Sequence, residues 1–303
     1  GIKTPVALKP GRQEPWSPIR IANALFEAGL PPEAIGLYPS GHDAAGEILL
    51  RSDRSMLFGD ERTVGSWAND PRIELHGPGW SKVVFGADAA SRWEQFVDLM
   101  VSSVAENGGR SCINASGVWT PAHGDEIADA LARRLVEIDA RPLDDPEARL
   151  AAFSDPRVAH SIDAYVESQL QVPGAVDVTA RYRDGGRVVE VGGCTFLRPT
   201  VVRCSDPGHP LASAEFLFPF VSVVETTAET LLDRMGPTLV VSALTDDPAF
   251  IDALFRSPNV ERLNIGAFPT CKLSWDQPHE GNLFDLLYRQ RAFQTAIPGT
   301  AGA

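Results

Sequence analysis

The 303-residue sequence contains no uninterrupted apolar run near the ~20 residues that a membrane-spanning helix requires, and no signal peptide is visible. Basic residues are scarce: 27 Lys and Arg stand against 40 Asp and Glu, a formal charge of -13. That balance argues against nucleic acid and anionic lipid as partners, while leaving room for a local basic pocket that takes a phosphorylated cofactor. Cysteine is equally sparse. Cys112, Cys194, Cys204 and Cys271 are scattered without CxxC spacing, which excludes a disulfide framework and a structural zinc site. The six histidines show no HExxH or similar pair, so no metal is expected. Internal repeats, low-complexity linkers and charge blocks are also missing. With 44% hydrophobic and 22% charged residues, the composition is that of a soluble globular protein, expected in the cytoplasm. The length exceeds one ordinary domain, so two are expected.

What is present is α/β grammar. "PVALKP" reads as a strand, "SPIRIANALFEAGL" as a helix, and "AIGLYPS" and "RSMLFGD" as further strands. Ser17 is expected to cap the helix with Pro18 at its first position, and Gly29 to end it. A second α/β pattern follows: a strand at 82–85, a long helix over 90–109, a strand at 117–120 and a helix from 124. Residues 174–204 alternate as strands around a turn at Gly185-Gly186, and "FPFVSVVE" and "TLVVSALT" are buried strands followed by helical spacing. Strands alternating with helices in this way build a parallel sheet with crossover helices.

One segment raises a chemical question. In "NGGRSCINAS" the glycines at 108 and 109 let the backbone approach a ligand, and Asn107, Arg110 and Asn114 keep the surroundings of Cys112 polar. Cys112 is therefore either a nucleophile, which needs an accessible and stabilised thiolate, or a small residue at a tight turn. Upstream, "RIELHGPGWSK" ends an apolar strand at Glu74 and breaks into a glycine-rich loop, the strand-to-loop edge where α/β proteins place ligands. Glu74 is a candidate base or a strand-end surface carboxylate.

Taken in order, these segments resemble the aldehyde dehydrogenase superfamily across most of the chain. "PVALKP" is similar to its "PVVLKPSE", "FGDERTVG" stands at "FTGSTxVG", "IELHG" at "LELGG" and "NGGRSC" at "NxGQxC". "FLRPTVV", "AEFLFPFVSVV" and "RLNIG" followed by "QPHEGNLF" continue the series. The resemblance implies a Rossmann-type cofactor domain over 1–75, incomplete at its N-terminal side, a catalytic α/β domain over 76–268, and a return segment and oligomerisation tail over 269–303. It implies aldehyde oxidation to a carboxylic acid, with Cys112 forming a thiohemiacetal and then a thioester, hydride passing to NAD or NADP, and Glu74 activating water. Lys9, Arg12, Glu61, Leu75, Glu215 and Leu217 fall on the cofactor side. Cys112 and Glu74 are expected to open onto one tunnel, with Trp80, Trp119, Phe268 and Trp275 near its substrate walls.

The departures are specific. Arg12 replaces a ribose-gripping glutamate, which together with Lys9 makes NADP plausible. Asp60 and Glu61 stand where phosphate oxygens seek backbone N–H donors. His76 replaces the first glycine of "LELGG", and Leu217 replaces an aromatic. The family's oxyanion asparagine lies upstream of Pro5, so the chain is expected to be a piece of something larger or to be completed by a missing N-terminal portion, and the resemblance implies a homo-oligomer. Acyl transfer involving coenzyme A and a catalytically inactive structural subunit are the alternatives; retention of Glu74 weighs against the first.

Overall fold

The structure, a computed structural model, describes residues 4–274, 283–288 and 294. The chain divides into two compact units, Gly1–Gly77 with Gly281–Ala303, and Pro78–Glu280. The expected segmentation, by comparison, placed borders after residues 75 and 268.

The first unit runs β1 (Val6–Leu8), α1 (Trp16–Glu27), β2 (Ile35–Leu37), α2 (His42–Arg51), β3 (Ser55–Phe58), α3 (Glu61–Gly65) and β4 (Ile73–His76), with α9 (Leu283–Leu287) from the later segment. β1 pairs with β2 and β3 with β4, both in parallel. Ser17 does not cap α1. The helix begins at Trp16, two residues before the expected Pro18, and the Glu14 carboxylate accepts the amides of Trp16 and Ser17 at 3.0 and 3.1 Å. Gly29, at φ +97°, does end it.

The second unit supplies β5 (Lys82–Phe85), α4 (Val97–Ala105), β6 (Gly117–Thr120), α5 (Gly124–Leu135), α6 (Pro156–Leu170), β7 (Ala175–Asp177), β8 (Val188–Val191), β9 (Cys194–Leu197), β10 (Thr200–Cys204), β11 (Phe220–Glu225), α7 (Ala228–Arg234), β12 (Thr238–Leu244), α8 (Pro248–Arg256) and β13 (Val260–Ile265). Its seven-stranded sheet has the order β13-β12-β5-β6-β11-β10-β7. All neighbours are parallel except β7, which runs against β10. The strand period of two divides the buried side chains between two cores: Val83, Phe85, Val118, Val221 and Val223 pack on the α4–α5 side, and Val84, Val224 and Val241 on the other.

Three local expectations change. The long helix over 90–109 is broken: a tight 3-10 stretch precedes α4, and Asn107, Gly108 and Gly109 follow it with φ of 51°, 65° and 67°. Three left-handed residues in succession cannot continue a right-handed helix. The hairpin turn lies at Gly192-Gly193, not Gly185-Gly186. Both of those glycines have positive φ, as a two-residue primed turn between paired Val191 and Cys194 requires. Trp119 is fully buried in the second core, which removes it from the expected substrate wall. No helix among the described residues is long and apolar enough to cross a membrane.

Candidate active site

Cys112 sits in the turn between α4 and β6, and the turn is fixed from three directions. Asn114 Oδ1 accepts the Ser111 amide at 2.9 Å, while its Nδ2 donates to the carbonyls of Ser103 and Glu106. Ser81 Oγ donates to the Cys112 carbonyl at 2.8 Å. Gly79 lies against that same carbonyl so closely that a Cβ there would stand 1.9 Å from the oxygen. Gly109 is equally constrained, since a Cβ would come within 2.5 Å of the Pro219 nitrogen. The glycines thus serve close backbone packing around the thiol turn. Arg110 donates to the Ala151 carbonyl and stacks at 4.4 Å over Phe153, and burial lowers its pKa.

A second set of groups holds the Gly79-Trp80 turn. The Glu215 carboxylate accepts both amides. Lys82, 1% exposed, donates from Nζ to the Trp80 carbonyl at 2.7 Å and to Thr238 Oγ1 at 3.1 Å. Trp80 itself has φ +44°, a strained value for a bulky residue. Burial lowers the Lys82 pKa to about 7 against the opposing pull of Glu215, and burial raises that of Glu215. Glu215 also faces a groove of about 750 Å³ shared with the α6 cap Asp155, with Arg157, Ser161 and Tyr165 along α6, and with Phe216. Leu217 beside it is half-exposed.

In the first unit, Glu74 and His76 share one face of β4 and Leu75 takes the other. Glu74 Oε1 lies 3.1 Å from His76 Nε2. Lys9 and Arg12 lie just beyond β1, and neither makes a salt bridge or side-chain hydrogen bond among the described residues. Glu61 is the exposed first residue of α3, whose N-cap is Asp60. The Asp60 carboxylate accepts the Thr63 amide at 2.8 Å, and hydrogen bonding from Thr63 lowers its pKa.

Cys112 and Glu215 therefore belong to one unit, and Glu74, Lys9, Arg12, Glu61 and Leu75 to the other. Phe268 is half-exposed beneath the Lys272 ammonium, and Trp275 lies outside the described residues. Cys204 is buried and its pKa rises to about 12, as suits an inert thiol. Lys82 and Ser81 are absent from the sequence-based expectation, in which Gly79 figured only as part of the glycine-rich loop after Glu74. A lone lysine inside the apolar run "SKVVFG" is the signal that points to the first.

Comparison with known proteins places this geometry. The malonate-semialdehyde dehydrogenase 3 of Geobacillus kaustophilus is 26% identical over 225 residues, covering 72% of this chain and 45% of its own length. The NADP/NAD-dependent aldehyde dehydrogenase of Escherichia coli is 26% identical over 243 residues, covering 74% and 45%. The chain spans about half the length of the curated relatives it matches. Among solved structures, an indole-3-acetaldehyde dehydrogenase complexed with NAD+ aligns with a TM-score of 0.72 at 21% identity, over 86% of this chain and 54% of that one. An aldehyde dehydrogenase from Bacillus cereus in complex with NAD+ aligns with a TM-score of 0.74 at 19% identity, over 89% and 55%. The fold is therefore aldehyde dehydrogenase-like. A model of the aldehyde dehydrogenase family matches residues 4–232, and the chain belongs to that family.

Proposed function

We propose that the chain oxidises an aldehyde to a carboxylic acid, with Cys112 as nucleophile, Glu74 as water-activating base, and NAD or NADP as hydride acceptor. The observation that carries this reading is the construction around Cys112: a thiol on a short turn whose carbonyl, flanking amide and neighbouring glycine are all held by groups of its own unit. Such rigidity suits a nucleophile that must meet a carbonyl carbon in one geometry. The thiolate adds to that carbon, forming a C–S bond and moving the carbonyl electron pair onto oxygen. A bound nicotinamide supplies the two-electron acceptor for the hydride the carbon then loses. Glu74 takes a proton from water, whose oxygen attacks the resulting thioester. The C–S bond breaks, the thiolate is restored, and the acid departs.

The residues present fit a dinucleotide through charge. Lys9 and Arg12 are cations without salt bridges among the described residues, suited to phosphate oxygens, and Arg12 suits a 2′-phosphate. Glu215, on the groove beside α6, suits ribose hydroxyls. The start of α3 is the poor fit, because Asp60 already occupies an amide there with a negative charge. Phosphates are therefore assigned to Lys9 and Arg12 instead.

That same observation, with the Glu215 carboxylate engaged by Gly79 and Trp80, favours a second reading: a relative that binds no nicotinamide and serves as a structural subunit. Titration with NAD and NADP under intrinsic fluorescence separates the two. Saturable quenching by either, with aldehyde oxidation lost in Cys112→Ala, is the expected result. No change with either cofactor leaves the structural subunit, and oxidation surviving in Cys112→Ala removes the mechanism.

A further inference from the structure

Lys82 is a buried titratable side chain that the proposed reaction leaves unused. It opens β5 at 1% exposure, where an apolar residue would avoid the cost of burying a charge. Its ammonium has two definite partners. Nζ donates to the Trp80 carbonyl at 2.7 Å and to Thr238 Oγ1 at 3.1 Å, and that hydroxyl passes its own proton to the Gly236 carbonyl.

The segment Gly79-Trp80-Ser81 is held group by group. Its first two amides donate to the Glu215 carboxylate. The Gly79 carbonyl accepts the Leu239 amide at 2.8 Å, and the Ser81 carbonyl accepts the Ser116 amide at 2.9 Å. Between them the Trp80 carbonyl is met by a side chain, that of Lys82. This is also where the backbone is strained, since Trp80 sits at φ +44°. A tryptophan does not stay left-handed by its own preference, so the peptide that follows it needs a strong donor. A hydrogen bond from a cation is about twice as strong as a neutral one. The segment in turn meets the thiol turn: Ser81 Oγ donates to the Cys112 carbonyl, and Gly79 packs against that same oxygen.

We infer that Lys82 is a positioning residue for the nucleophile, gripping the Trp80 carbonyl so that the left-handed 79–81 segment stays seated on the Cys112 carbonyl. The inference rests on the proposed role of Cys112 and adds the group that keeps its support in place.

Two measurements on the full chain compare wild type with Lys82→Met. The first is hydrogen exchange at pH 6, read by mass on peptides covering 78–82 and 111–117. Removing a buried charge stabilises the fold at this pH, so a side chain with no positioning role would leave protection raised throughout. The expected result is a local loss: protection in these two peptides falls about tenfold, the size of one lost hydrogen bond to a charged group, while peptides from β10 and β11 gain. In a Trp80→Gly background, where a positive φ is free of strain, the same change is expected to cost less than about threefold. The second measurement is rapid mixing with an aldehyde and NAD or NADP. The hydride burst is expected to slow about tenfold, short of the ~10²-fold that a 1 Å misplacement costs, with the aldehyde KM within about twofold. Protection that rises in the two peptides with the rest, or falls everywhere, overturns the inference. So does a burst that Lys82→Met leaves unchanged, or an equal loss in the Trp80→Gly background. A wild-type chain with no burst at all removes the proposed reaction instead, and the exchange of the two peptides still decides whether Lys82 holds the segment.

Discussion

Lys82→Met gives the most direct reading of how the thiol's support is built. Burial lowers the Lys82 pKa from 10.5 to about 7. At ~1.36 kcal/mol per unit, that gap is on the order of 5 kcal/mol. Below pH 7 the folded and unfolded chains both hold the proton, and the fold bears the whole cost of a buried charge. Between about 7 and 10.5 only the unfolded chain holds it, so this contribution to stability rises with pH; above 10.5 the cost is gone. From pH 6 to pH 9 the cost falls by roughly 2–3 kcal/mol, from just under 5 to about 2.

Methionine removes the charge but also two hydrogen bonds, to the Trp80 carbonyl and Thr238, each contributing about 1 kcal/mol. The variant is therefore expected to be about 2–3 kcal/mol more stable than the wild type at pH 6, with the advantage gone near pH 9. Urea unfolding of both proteins at pH 6, 7.5 and 9, followed by tryptophan fluorescence, measures the difference. A gap that is constant across this range, or one that widens as pH rises, would refute the account of Lys82 as a buried cation.

Gly79→Ala should destabilise the chain by ~1–3 kcal/mol or more and change the alkylation rate of Cys112, read from the mass of its peptide, because the new Cβ would stand 1.9 Å from the Cys112 carbonyl oxygen. Gly77→Ala is its control: the Cβ there meets only Val64 at 3.4 Å, so a loss comparable to that of Gly79→Ala would show that the packing argument is wrong. Arg187→Ala should lower stability by ~3–5 kcal/mol in a thermal melt, since the fully buried guanidinium meets Asp163, Glu167, Asp177 and Thr200; a loss under ~1 kcal/mol would mean that the network is dispensable.

Much of the sheet was legible because its strands are short apolar runs bounded by turn residues, and β5, β6, β11 and β12 lie where those runs do. The seven-strand order was not legible, since nothing local in β12 says that it inserts beside β5 while β11 goes to β6. The helix over Pro156–Leu170 shows what apolar spacing alone passes over: its start is marked instead by Asp155, which caps the Arg157 amide, and by Pro156 at the first position. Two successive glycines occur twice in 174–204, and only conformation distinguishes them; Gly192-Gly193 is positive in φ at both residues, Gly185-Gly186 at one. At the candidate site, the resemblance picked out Cys112 and Glu74 by motif. It could not disclose Glu215 accepting the Gly79 and Trp80 amides, because that contact joins positions 135 and more residues apart.

The partners of the thiol turn share a property that bears on how its chemistry can vary. Among the described residues, Gly79, Ser81, Lys82, Ser103, Asn114, Glu215 and Thr238, which build the thiol turn and the turn beside it, all lie within Pro78–Glu280. The departures Arg12, Asp60 and His76 all lie in the other unit, with the proposed phosphate contacts and the proposed base. A strained Trp80 and a buried Lys82 persist next to the thiol turn, even though each costs stability, because the close packing that fixes Cys112 is assembled from them.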